Sequence, residues 1–208
     1  MGQPLEQPAS FQEASYQQMA NPGLSSTRLL HIYHEGFIHR QMHVLDSDKS
    51  TPLYHTEQKA STTFSSKPHM TVRNANNSLV VGTVSFHTFS RRIDLTIHGQ
   101  SIELAGTSLM TIAHQFKSPR GNVLKWKSDG VFSGGDMVCI DETADPRAQL
   151  VARFQWRLLS VSKSGRLEVS SAVQGVALDE VVISGLAMFE YQRRRNSSSG
   201  GGGAGGAA

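Results

Sequence analysis

Between residues 29 and 170 the chain runs in short apolar or alternating segments, separated by clusters of Gly, Asn, Asp and Ser. Residues 29–34 form an apolar run that ends at Glu35-Gly36, and 37–45 follow before the polar stretch Asp46-Ser47-Asp48-Lys49-Ser50. Residues 53–59 come next, and 70–73 lead into Asn74-Ala75-Asn76-Asn77, a strong turn signal. Residues 79–88 change phase at Gly82, with Leu79 and Val81 odd but Val84 and Phe86 even; a β-bulge at Gly82 accounts for the switch. Residues 92–98 alternate cleanly, with Ile93, Leu95 and Ile97 on one face, and Gly99-Gln100 turns the chain tightly into 101–104. The pattern predicts further strands at 109–116, 122–127, 136–141, 149–156, 158–162 and 166–170, with Lys163-Ser164-Gly165 as the turn between the last two. About a dozen strands with turn signals every 8–12 residues or so is the spacing of an all-β barrel or sandwich.

Residues 177–191 break the pattern. They open with Asp179 and Glu180 and are followed by Arg193-Arg194-Arg195, an order that complements a helix dipole at both ends. On a helical wheel the apolar residues form no single stripe. Ala177, Val181 and Met188 take one side, Leu178, Val182, Leu186 and Phe189 a second, Ile183 and Ala187 a third. Such a helix must be buried all round or lie in a membrane. Roughly 13 apolar residues fall short of the ~20 that span a hydrocarbon layer, and two acids in the first turn oppose insertion. The physical solution is a helix threaded through a closed sheet. Ser184, Gly185 and Ala187 are small enough to let side chains of the sheet come close.

Composition narrows the classes. The chain has 208 residues, 38% hydrophobic, with the apolar shortfall concentrated at the ends. Residues 1–28 are Gln/Pro/Ser-rich and read as a disordered leader, and 196–208 as a disordered Ser/Gly/Ala tail. Residues 29–195 suffice for one sizeable core, and no internal repeat is found. The single Cys139 excludes a disulfide framework and a cysteine-based zinc site. No apolar run reaches transmembrane length, and no secretory signal or myristoylation site is expected at the start. The net charge of +3 owes its excess to Arg193–Arg195, because residues 1–28 sum to −1 and the remaining 29–192 to +1. A near-neutral domain without basic and aromatic residues interleaved is not expected to bind nucleic acid.

A dozen strands followed by one all-round apolar helix is the order of the Tubby C-terminal-like superfamily. The chain resembles a fungal member of its LURP-one-related branch, similar in plan to phospholipid scramblases. Met70-Thr71-Val72-Arg73-Asn74 and Leu79-Val80-Val81 resemble that family's early strand pair, and Val123-Leu124-Lys125-Trp126-Lys127 its mid-barrel strand. Val151-Ala152-Arg153-Phe154 and Lys163-Ser164-Gly165-Arg166-Leu167-Glu168-Val169 resemble the strands before the helix, and 178–187 the helix itself. The resemblance covers 29–192. It implies a mainly β fold, a closed antiparallel barrel of about 12 strands around a central hydrophobic C-terminal α-helix at about 177–192. Tubby proteins bind phosphoinositides through basic residues on the barrel wall, scramblases are linked to calcium-dependent lipid movement, and the plant LURP-one-related group to pathogen response. This chain lacks a scramblase-like cysteine-rich stretch, and no catalytic residue is carried over.

The candidate sites are modest. Arg91-Arg92, Lys117 with Arg120, and Lys125 with Lys127 are the candidate anionic-lipid contacts. Lys125 and Lys127 share a strand face opposite Leu124 and Trp126, so two ammonium groups about 7 Å apart could straddle a phosphoinositide headgroup; the plainer reading is a solvated face. Arg193–Arg195 could add about 1 kcal/mol per charge near an anionic membrane. The nine histidines lie between His31 and His114, with His39 and His43 on one parity. Barrel-wall histidines are expected rather than metal ligands, with a pH-sensing cluster as the alternative. Asp46, Asp48, Ser50 and Glu57 fit an EF-hand register until Thr51 and Pro52 break it, so a polar hairpin loop is expected. Asp141-Glu142 and Gly134-Gly135-Asp136 read as turns, and Cys139 as inert. Trp126 and Trp156 are expected in the core or at its ends. No Gly-x-Ser-x-Gly elbow, phosphate loop or His-Glu-x-x-His is present, leaving an enzyme site assembled only in space as the third hypothesis.

The expected function is a non-enzymatic binding domain contacting phosphoinositides or anionic membrane surfaces. The alternative is a protein-interaction scaffold with no lipid contact. No cofactor or metal is expected. The expected location is intracellular, cytoplasmic or membrane-peripheral, with the nucleus left open.

Overall fold

The computed structural model describes residues 26–35, 41–59, 68–87, 90–108, 111–130, 135–143, 149–156 and 163–199. Within them lie twelve strands and one helix. The strands are β1 (Thr27–Glu35), β2 (Gln41–Leu45), β3 (Pro52–Gln58), β4 (Met70–Asn74), β5 (Val80–Phe86), β6 (Ile93–Ile97), β7 (Gln100–Gly106), β8 (His114–Lys117), β9 (Val123–Ser128), β10 (Met137–Asp141), β11 (Gln149–Trp156) and β12 (Lys163–Ser170). The helix is α1 (Val176–Ser199). Each strand pairs antiparallel with its chain neighbours, and β1 pairs with β12, so the meander closes into a barrel. Closure removes every free sheet edge. The expected barrel with its C-terminal helix is therefore the observed fold.

The alternation in the sequence translates directly into faces. In β6, Ile93, Leu95 and Ile97 are buried and Asp94 and Thr96 are not; in β9, Leu124 and Trp126 are buried and Lys125 and Lys127 look outward. The phase switch in β5 is a bulge. Val72 pairs with Gly82 and Arg73 with Val80, so the extra residue is Val81, one position before the glycine. Gly82 itself is needed for close approach, since a Cβ there would lie 2.7 Å from the Thr96 carbonyl oxygen and 2.8 Å from Ile183 Cδ1.

Several boundaries differ from the sequence reading, and β1 already begins at Thr27, inside the stretch 1–28 read as a leader. The β6–β7 turn is His98-Gly99 rather than Gly99-Gln100. Both residues have positive φ (48° and 78°), the backbone of a two-residue hairpin that matches strand twist. Of the expected strand at 109–116, residues 109 and 110 lie outside the described residues, and the described part becomes strand only at His114, because Ala113 closes the preceding loop by accepting from Thr107 N. Lys163-Ser164-Gly165 is not a turn but the start of β12, with Gly165 opposite Ile32 and Trp156. Glycine suits that strand position because a Cβ would meet the Gln155 carbonyl oxygen at 2.7 Å and the Phe154 ring at 3.1 Å. The expected strand at 158–162 lies outside the described residues.

The helix fills the barrel. Every residue from Glu180 to Glu190 is buried, which is why no polar stripe exists in the sequence. Gly185 lets Trp126 approach, its Cβ position lying 3.2 Å from the indole, and Trp126 Nε1 donates to Ser184 Oγ at 2.9 Å. Trp126, Phe116, Phe154, Leu186 and Met188 form the centre of the core. The helix runs past Tyr191 to Ser199, because Arg193 and Arg194 reach back to Glu190 at i,i+3 and i,i+4. The arginine triplet is therefore internal to the helix rather than a charge complement in its last turn.

Candidate functional site

The two mouths of the barrel are built differently. At the mouth where α1 begins, both acids of its first turns are held by the wall. Tyr54 donates its hydroxyl to Asp179 Oδ1 at 2.6 Å, and His98 Nε2 lies 2.7 Å from Asp179 Oδ2. Glu180, 1% exposed, accepts from Ser118 Oγ at 2.8 Å and pairs with Arg120 at 3.5 Å. These contacts fix where the helix enters. Burial, with the Asp179 carboxylate beside it, pushes the Tyr54 phenol well above its usual range.

Beside this entry lies a cleft of about 180 Å³ between the start of α1 and the ends of β9, β10, β11 and β12. Its floor is apolar, with Leu124, Val151, Val173, Ala177 and Val181; Arg120 and Asp141 supply its charged groups and Asn122 and Gln149 its amides. Asp141, read from sequence as a turn residue, points inward at the end of β10 and is 8% exposed. Its Oδ2 accepts from Asn122 Nδ2 at 2.6 Å and its Oδ1 from Thr143 N at 2.8 Å. Nothing in the local sequence announces this cleft, because five separate elements assemble it.

The six candidate cations divide between the mouths and the wall. Arg91 and Arg92 lie at the opposite mouth, before β6. Arg92 pairs with Asp94 and Glu103, and Arg91 donates to the Thr111 carbonyl oxygen. Lys117, Arg120, Lys125 and Lys127 gather on the β8–β9 hairpin. Lys117 is opposite Val123, so it is diagonal to Lys125 on the outward face, about 7–8 Å away by strand geometry. Lys125 bonds Glu142 at 2.9 Å, and Arg120 contacts Glu180. Lys117 and Lys127 are exposed and enter no ion pair among the described residues. Residues 114–128 contain these four cations and no acid.

The remaining candidates serve the walls. Asp46 forms a two-pronged pair with Arg28, Asp48 caps Ser50 and Thr51, and Glu57 pairs with Arg73, so the EF-hand register holds a structured loop. Cys139 is buried opposite Trp126, and burial pushes its thiol up. His43 pairs with Glu35; His39 lies outside the described residues.

At the mouth where α1 leaves, aromatic rings collar the helix. Phe189 packs on His34, Phe154 and Trp156, Tyr191 on His114, and Arg194 lies 4.4 Å from the centre of the Phe86 ring, which also meets His69. Glu190, fully buried, is held by Arg193 and Arg194. Burial alone would raise its pKa; the two guanidinium groups outweigh it and hold the carboxyl below its ordinary value. Burial lowers His34, His69 and His114, helped by Arg193, Arg194 and Arg91 with Arg195 respectively. Both effects act in one direction. The unfolded chain binds more protons than the folded one below the ordinary histidine pKa of about 6.5, and again below the ordinary carboxylate pKa of about 4.3. Stability is therefore expected to fall as pH drops from about 7.5 to about 5.5, and further once Glu190 protonates. Urea midpoints measured at those two pH values check this, and equal midpoints would refute it.

Among the described residues no helix is long and apolar enough to cross a membrane. Compared with known families, the chain matches over residues 39–195 one described as a family of unknown function, DUF6593. No curated protein and no solved structure matches.

Proposed function

The chain belongs to that DUF6593 family, whose name assigns no activity, and from its geometry we propose a non-enzymatic binding module that engages anionic phospholipid headgroups through the β8–β9 hairpin. The observation that carries this reading is the acid-free stretch 114–128, which sets Lys117, Lys125 and Lys127 on one outward face with Arg120 in the turn. Ammonium groups about 7 Å apart suit a headgroup bearing more than one phosphate. Glu142 neutralises Lys125 only through a surface pair, which contributes about 0–1 kcal/mol and yields readily to a phosphate. The reading places the protein at intracellular membrane surfaces. It also keeps the kinship with Tubby-like and scramblase-like barrels, which the order of twelve strands and a buried helix supports.

Co-sedimentation with liposomes tests it. Binding is expected to require phosphoinositide, to weaken with added salt, and to drop at least tenfold in Lys117→Glu/Lys127→Glu. These outward lysines carry no ion pair among the described residues, so the fold should survive the change. Absence of binding to any liposome would sink the reading.

One observation favours a second reading, a protein-docking scaffold. Leu79 and Val80 at the β4–β5 turn are 65% and 49% exposed. Loss of a partner protein in Leu79→Ser, with liposome binding absent, would establish it.

A further inference from the structure

The cleft beside the entry of α1 opens next to the place where the N-terminal segment joins the barrel. The Ser26 carbonyl oxygen accepts from Ser171 N at 3.0 Å, and Thr27 stands opposite Ser170 at the start of β1. Ser170, Ala172 and Val173 form the near wall of the cleft. Residues 1–25, which lie outside the described residues, therefore join the barrel at the lip of this concave site. Their length suffices to cross it. Four strand spacings, about 19 Å, separate β1 from β9 at the far wall. An extended chain covers about 3.3–3.6 Å per residue, so Leu24 can touch the near wall, Met19 the floor and Glu13 the far rim.

The chemistry of segment and cleft agrees. The floor is aliphatic, and its volume of about 180 Å³ equals the share of about six waters in the liquid, room for one or two aliphatic side chains. Arg120 stands half exposed at the far rim and spends one N–H on Glu180 at 3.5 Å, out of the five a guanidinium offers. It belongs to the stretch 114–128, four cations without an acid. Residues 1–25 are the reverse, with Glu6 and Glu13 and no Lys, Arg or His. Their nearest apolar side chains, Met19 and Leu24, stand singly among Gln, Ala, Asn, Pro, Gly and Ser and cannot build a core of their own. Asp141, bonded within the wall, takes no part. We propose that residues 1–25 fold back over this cleft, with Leu24 against Val173, Met19 on the aliphatic floor and Glu13 on Arg120. Weak contacts suffice, because a tethered segment is held at an effective concentration of the order of millimolar. The docked segment covers a cation of the headgroup face and so holds anionic lipid off it. This consequence, unlike the docking itself, rests on the headgroup reading.

Paramagnetic broadening of amide signals in the full chain tests it. Cys139 is fully buried, so a nitroxide attaches selectively to the new thiol of Gln18→Cys. The label is expected to remove at least half the amide intensity of Val151, Val173 and Ala177 and to spare Gly106 and Asp129 at the opposite mouth. Met19→Ser/Leu24→Ser, which alters no described residue, should abolish the broadening. Arg120→Gln should reduce it at least twofold, and Ala177→Leu should fill the floor and displace the segment. Thermal melts check the folding of each variant, and Met19→Ser/Leu24→Ser keeps the test alive if Ala177→Leu unfolds the chain. No broadening of the cleft amides, or broadening undiminished in Met19→Ser/Leu24→Ser, would overturn the proposal. So would broadening seen only between a nitroxide-labelled chain and a separate isotope-labelled one, since a second copy would then supply the segment. Liposome binding should rise at least threefold in the double variant. Equal binding by wild type and variant would overturn the masking of the headgroup face, and no binding by either would sink the headgroup reading itself, while the docking is decided without lipid.

Discussion

Leu186→Asp is expected to abolish the cooperative fold. Leu186 is fully buried at the middle of α1, inside a barrel closed on all sides by the sheet. A carboxylate there has no cation within the eleven buried residues of its own helix, where the charged groups are Glu180 and Glu190. Either the charge is desolvated or a proton is taken up at neutral pH, and each costs several kcal/mol. Typical domains are stable by about 5–15 kcal/mol, so this single change consumes most or all of the margin. A purified Leu186→Asp protein should show no cooperative thermal transition. Melting at the wild-type temperature would mean that the helix does not occupy the barrel.

Trp126→Ala is the second large effect. Trp126 is fully buried, fills the notch left by Gly185 and bonds Ser184. Removing a buried Trp costs about 3–5 kcal/mol through lost transfer energy and the cavity left behind. Ser184 is not stranded, because its hydroxyl also donates to the Val181 carbonyl oxygen at 3.3 Å. Ser184→Ala instead strands the indole N–H, at a cost of about 1–3 kcal/mol. Denaturant unfolding of both variants should therefore rank Trp126→Ala well below Ser184→Ala. Equal losses would show that the hydrogen bond, not ring packing, joins helix to wall.

Legibility of the fold followed the range of the forces. Strand faces such as 93–97 and 123–127 were readable because burial on one side of a sheet repeats every two residues. The helix was readable through a negative signal, the lack of a stripe, which only full enclosure permits. Lys163-Ser164-Gly165 misled because glycine commonly marks a turn; here it serves close packing against Phe154 and Gln155, partners that local sequence does not reveal. The sequence puts the helix end too early, because a run of arginines resembles a terminus, whereas two of them bind Glu190 within the helix.

The sites were less legible for the same reason. Outward placement of Lys125 and Lys127 follows from alternation. The identity of their neighbours does not, since Glu142 reaches Lys125 from just beyond the end of β10 and Glu180 reaches Arg120 from a helix sixty residues on. Asp141 looked like a turn residue because its inward direction depends on the register of β10 against β9. The cleft exists only after five elements have met.

The order of the chain also bears on how the protein is made. Synthesis proceeds from the N-terminus, and domains fold as their parts emerge. Eleven of the strand pairings join neighbours in sequence, but the seam between β1 and β12 and the whole filling of the barrel wait for residues 163–199. Until β12 is made, the nascent chain is a curling ribbon with an apolar inner face and two unsatisfied borders, and until α1 follows that inner face stays unfilled, the kind of surface that recruits chaperones or sticks to its own kind. The helix is therefore the element whose docking buries the apolar lining of the barrel. Premature termination before residue 176 would yield not a shorter barrel but a hollow one, and its fate would be aggregation or degradation.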